Sequence, residues 1–102
     1  MSGKYILNEN GCPVHEPDLE KWSHWFETSD SQRNVERTVL RQGIVSTCFL
    51  GLDFSMGGKT PVLWETFVLS GKLQGRSDRC GGNKEQAEAM HLKMVRRVLA
   101  EA

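Results

Sequence analysis

Residues 43–69 decide the fold. They read Gly43-Ile44-Val45-Ser46-Thr47-Cys48-Phe49-Leu50-Gly51-Leu52-Asp53-Phe54, then Ser55-Met56-Gly57-Gly58-Lys59-Thr60-Pro61, then Val62-Leu63-Trp64-Glu65-Thr66-Phe67-Val68-Leu69. Two runs rich in β-branched and aromatic residues, joined by a short Gly-rich connection, predict a β-hairpin. A symmetric connection places Leu50 opposite Glu65 and Phe49 opposite Thr66. One face then carries Ile44, Ser46, Cys48, Leu50, Leu52, Leu63, Glu65, Phe67 and Leu69, and the other Val45, Thr47, Phe49, Gly51, Val62, Trp64, Thr66 and Val68. Neither face is polar, so both require cover.

The flanking segments supply that cover. Residues 4–7 suit a short strand, Asn10-Gly11 a turn, and residues 12–17 an extended stretch held by Pro13 and Pro17. Asp18 is a helix N-cap, after which Leu19, Trp22, Trp25 and Phe26 recur at helical spacing. A polar stretch, 28–34, ends that helix. Residues 35–42 alternate and predict a strand with at least one wet face, and residues 72–80 a short polar edge strand before Gly81-Gly82. Asn83 with Gln86 forms a capping box, and Ala87, Met90, His91, Met94, Val95, Val98 and Leu99 make one apolar helical stripe. The order β-α-β-β-β-(β)-α gives an α+β fold, a mostly antiparallel sheet of four or so strands in a single domain over residues 1–102. Only two helices are available to cover two apolar faces. Both on one face leaves the other for a partner or a second copy of the chain; one on each face closes a monomer.

Composition narrows the function classes. The 102 residues hold 13 basic and 13 acidic side chains, so no general cationic field draws the chain to nucleic acid or an anionic membrane. Neither a secretory leader nor a membrane-spanning apolar run is present in the sequence, which predicts a soluble, cytosolic protein. Cys12, Cys48 and Cys80 are odd in number and lack CxxC spacing, arguing against a disulfide framework or a zinc ribbon. No cofactor is called for.

Few residues suggest chemistry. Asp53 and Glu65 are carboxylates near the connection, and His91 lies on the apolar stripe; together they define a small enzyme or ligand-binding site as one alternative. The ordinary readings are a loop-capping Asp53, a Glu65 paired with Arg37, Arg41 or Arg79, and a His91 satisfied inside the core. His15, His24 and His91 share no ligand motif, and no metal site is expected. Ser46 and Thr47 lack the glycines of a nucleophile elbow. Residues 55–60 resemble the end of a phosphate-binding loop, but lead into a strand rather than a helix. They read instead as an exposed tip on which Met56 and Lys59 offer contacts. Arg33, Arg37 and Arg41 form a basic series that defines a third alternative, nucleic-acid binding.

Glu16-Pro17-Asp18-Leu19 with Lys21-Trp22, Trp25-Phe26-Glu27, Val45-Ser46-Thr47 to Gly51-Leu52-Asp53, Pro61 with Trp64-Glu65-Thr66, and Ala87, Ala89 and His91 span nearly the whole chain. In these the chain resembles a group of small, mostly uncharacterised proteins encoded by phages and prophages. The resemblance implies a small accessory product that binds a host or phage protein in the host cytosol, inhibition of a host defence system, including anti-CRISPR action, being one form. The leading expectation is therefore a macromolecule-binding protein, with homodimerisation in view. Arg37, Arg41, Met56, Lys59, Trp25 and Glu65 are its candidate contacts. Nucleic acid is the less favoured partner, and a membrane is not expected.

Overall fold

A computed structural model of the protein describes residues 3–101. Its elements are strands β1 (Tyr5–Leu7) and β2 (Pro13–His15), helices α1 (Leu19–Thr28) and α2 (Asp30–Arg33), strands β3 (Asn34–Leu40), β4 (Gly43–Phe49), β5 (Trp64–Val68) and β6 (Ser77–Cys80), and helix α3 (Lys84–Leu99). The strands form an antiparallel pair, β1-β2, and a four-stranded antiparallel sheet in the order β3-β4-β5-β6. The α+β class and the antiparallel sheet agree with the sequence pattern.

The central hairpin is present in a shifted register. Phe49 opposes Trp64, Thr47 opposes Thr66 and Cys48 opposes Glu65, two positions from the symmetric expectation, and fourteen residues (50–63) separate the strands. The cause lies in the first arm. Residues 51–53 leave the hairpin to pair with the N-terminal segment: Tyr5 N–H donates to the Gly51 carbonyl at 2.8 Å, Asp53 N–H donates to the Gly3 carbonyl at 2.9 Å, and Lys4 bridges Leu52. Three residues are thereby added to one side of the loop. A shift of two positions preserves side-chain parity, so the two strand faces keep their expected membership. Leu63, just outside β5, is corrected: it is buried with Leu7, Phe49, Trp64 and Ala87.

The connection has internal order. Asp53 Oδ1 accepts the N–H groups of Ser55 (2.8 Å) and Val62 (3.0 Å), and Phe54 N–H donates to the Val62 carbonyl. These bonds to the ionised form, the one from Val62 first, hold the Asp53 carboxyl below its ordinary range. Gly51 adopts a φ of +77°, and a Cβ there would lie 3.0 Å from the Phe26 ring, so this position requires glycine twice over.

Each of the two long helices, α1 and α3, is started by its expected cap. Asp18 Oδ1 accepts from Glu20 N–H and Lys21 N–H, and Asn83 and Gln86 form the reciprocal capping box. Two stripe residues are corrected outward, Leu19 at 63% exposure and Leu99 on the last turn of α3. The polar stretch after α1 is itself partly helical, as α2, with Arg33 paired to Asp30.

Both long helices serve one face of the sheet. Along α3, Ala87, His91, Met94 and Val98 are buried, packing with Val45 and Val68 at one end and with Phe49 and Trp64 at the other. From α1, Trp25 meets Phe49 edge-on at 5.8 Å, and Phe49 in turn meets Trp64 at 4.9 Å. Trp22 Nε1–H donates to the carbonyls of Tyr5 and Gly51, fastening α1 to the N-terminal pairing. The molecule measures 46 × 28 × 21 Å, and its thinnest dimension is about one helix layer on one sheet layer. No helix among the described residues is long and apolar enough to cross a membrane.

Candidate functional site

The register divides the sheet into two surfaces. On the helix-covered inner face lie Glu36, Thr47, Thr66 and Asp78 in one row and Thr38, Val45 and Val68 in the next. The outer face carries Arg37, Ser46, Phe67 and Ser77 in one row, with Asn34, Cys48, Glu65 and Arg79 beside it. Val39 and Ile44 lie on the other side of the Arg37 row, joined by Leu69, whose N–H donates to the Ile44 carbonyl.

The inner face contains a buried polar chain. Thr47, Thr66 and His91 are almost wholly inaccessible, and the contacts run Thr66 Oγ1 to Thr47 Oγ1 (2.5 Å), Thr47 Oγ1 to His91 Nδ1 (2.7 Å) and His91 Nε2 to Thr38 Oγ1 (2.8 Å). A hydroxyl, an imidazole and a second hydroxyl in line suggest a nucleophile, a base and its orienting group. Proton accounting assigns them otherwise. Among the described residues Thr47 is the one hydrogen-bond partner of the Thr66 hydroxyl, so Thr66 donates to Thr47, Thr47 donates to Nδ1, and Nε2–H donates to Thr38. The reverse direction strands the buried Thr66 proton, at a cost of about 1–3 kcal/mol. In the favoured direction Nε2 already carries its proton and cannot accept one from Thr38. Burial depresses the His91 pKa; the nearby Glu36 carboxylate opposes this, and the net lowering favours the same neutral ring. The chain ties α3 to β3, β4 and β5.

The outer face is differently made. Val39 is 71% exposed and Phe67 37%, with Leu69 also exposed and Ile44 half-buried beside them. Glu65 accepts from Arg79 Nε at 2.9 Å, and the Arg79 guanidinium lies over the Phe54 ring at 4.7 Å. Burial raises the Cys48 thiol, with Glu65 adding to the rise and Arg33 opposing it, so this cysteine is a poor nucleophile. At the strand edge the pairing slips between Asn34 and Glu36, and the bulge opens a depression of about 370 Å³ lined by Asn34, Val35, Glu36, Arg37 and Ser46.

The sequence-derived candidates separate on this framework. Asp53, Glu65 and His91 do not converge: Asp53 holds the loop, Glu65 is on the outer face and His91 lies under α3. Among the described residues no three His, Cys, Asp or Glu side chains form a group able to hold a metal. Arg33 is committed to Asp30, to the Phe26 carbonyl and to the face of the Phe26 ring, which breaks the basic series of Arg33, Arg37 and Arg41. Arg37 is on the outer face and Arg41 in the turn that follows β3. Met56 (94% exposed) and Lys59 are on the loop tip, and Trp25 is half-buried against the core. Arg37 and Glu65 alone among the six expected contacts lie on the strands of the open face.

Compared with protein-family models, curated proteins and solved structures, the chain has no match. Sequence reading passed over Asn34, Val39, Ser46 and Phe67. Parity counted back from the Arg41-Gln42 turn would have placed Val39 and Arg37 beside Ile44 and Ser46; the bulge at Val35 has no comparable signal.

Proposed function

We propose that this chain is a small protein-binding module whose partner docks on the outer face of the four-stranded sheet. One observation carries the reading. Val39, Ile44, Phe67 and Leu69 make an apolar patch that no described element covers, whereas the opposite face of the same sheet is packed by α3. A sheet with two apolar faces and helices on one side is an unfinished layer structure, and a partner completes it. The resemblance to small phage and prophage products supports an accessory role in the host cytosol, with inhibition of a host defence system, anti-CRISPR action included, as its concrete form.

The test uses the tagged full chain in lysate from phage-infected cells. The wild type is expected to retain a specific host or phage protein, and Phe67→Asp to lose it while keeping the wild-type unfolding midpoint. Retention of the same protein by Phe67→Asp, or no specific retention by the wild type, removes the reading.

A further inference from the structure

The depression at the β3 bulge adds chemistry to the apolar patch. Three hydrogen-bond donors line it: the Arg37 guanidinium, the Asn34 amide and the Ser46 hydroxyl. Among the described residues none of these side chains has a hydrogen-bond or ion-pair partner. Glu36 also lines it, but its register opposite Thr47 directs it to the inner face. A guanidinium forks two parallel N–H groups at a carboxylate, and the amide and hydroxyl add further donors. One row along the strands lie Val39 and Ile44. The neighbouring charges agree in sign: Arg79 is also on this face, Arg41 is in the turn at the end of β3, and the one acid among the outer-face strand residues, Glu65, is bonded to Arg79.

We infer that the occupant of the outer face is an acidic amphipathic segment of another protein, with a carboxylate in the depression beside Arg37 and an apolar side chain over Val39 and Phe67. This rests on the open-face reading above. A second copy of the chain fits less well. Pairing β3 with its own copy about the strand centre sets Arg37 against Arg37, and stacking two outer faces gathers Arg37 and Arg79 from both around acids already engaged. A nucleic-acid strand fits less well also: the patch is aliphatic apart from Phe67, and Phe54 is already under the Arg79 guanidinium.

The test is a titration of the isotope-labelled full chain, followed by amide NMR, with three probes. They are a short amphipathic peptide with leucines along one side and glutamates on the flanks, the same peptide with lysine for glutamate, and a single-stranded oligothymidine. The glutamate peptide is expected to shift Val39, Ser46 and Phe67, to bind at least tenfold more tightly than the lysine peptide, and to weaken at least tenfold with Arg37→Glu. Leu92→Asp, on the solvent side of α3, is expected to leave binding unchanged. Equal or tighter binding of the lysine peptide overturns the inference and leaves the open-face reading intact, as do shifts on this face from oligothymidine alone. A wild-type dimer that Phe67→Asp makes monomeric does the same, by naming a second copy as occupant. Shifts from every probe confined to other surfaces overturn both.

Discussion

The two faces of one sheet use their residues in opposite ways. Inside, Val45, Thr47, Phe49, Trp64, Thr66 and Val68 are all sequestered, and even their hydroxyls are paired. Outside, two of the same strands present Ile44, Ser46, Phe67 and Leu69 with no layer above them. Burial, not residue type, separates structural from available side chains here: Phe49 and Phe67 are the same residue on adjacent strands, one in the core and one facing outward. Stability should therefore concentrate on one face and binding on the other.

Trp64→Ala tests that division most severely. The indole is fully buried, stacks edge-on with Phe49 and donates Nε1–H to the Gly82 carbonyl. Its removal is expected to cost about 3–5 kcal/mol in urea unfolding, whereas Phe67→Ala should cost less than about 1 kcal/mol, in keeping with an exposed position. Equal losses would mean that the outer face is packed in solution. Next comes Thr47→Val, which keeps shape but leaves Nδ1 of His91 without its donor. A loss of about 1–3 kcal/mol is expected, together with a change in the Nδ1 shift while Nε2 keeps its proton directed at Thr38.

The third effect is one of pH. In the unfolded chain His91 titrates near its ordinary value of 6.5, and in the fold its pKa is lower. The unfolded state therefore binds the proton first, so the His91 contribution is fully present above pH 6.5 and is lost as the pH falls from there towards the folded pKa. Between pH 7 and 5 the unfolding midpoint of the wild type should drop further than that of His91→Gln; parallel curves would show that His91 is not buried neutral. The smallest effect belongs outside. Glu65→Ala removes a partly exposed pair with Arg79 and should cost at most about 1 kcal/mol, falling with added salt.

Much of this division was legible in the sequence because strand parity survives errors of register. The two faces of the hairpin could be written down before the shift of two positions was known, and Asp18, Asn83 and Gln86 declare their helix ends through local hydrogen bonding alone. What could not be read depends on distant segments. The register was set by Gly3 and Tyr5 capturing residues 51–53, and the depression by a bulge in β3. His91 was placed in the core by helical spacing, but its two threonine partners come from β3 and β4, and the threonine behind Thr47 from β5. The candidate contacts failed to assemble for the same reason: charge and exposure can be guessed along a chain, whereas proximity across a sheet cannot. Several residues that stand out in the sequence do largely structural work, Asp18 as a cap, Trp22 as a fastener, Gly51 as a close approach, and Thr47, Thr66 and His91 as the buried chain.

The bridge between Lys4 and Leu52 also orders events in time. It encloses β1, β2, α1, α2, β3 and β4, so closing it requires ordering a long stretch of chain before its few hydrogen bonds repay the lost entropy. The hairpin β3-β4 brings together residues much nearer in sequence and does not wait for it, whereas β4-β5 takes its final register only as the bridge closes. The N-terminal segment is thus a late-fitting clasp, and the residues from 51 to 53 remain without backbone partners on that side until it closes.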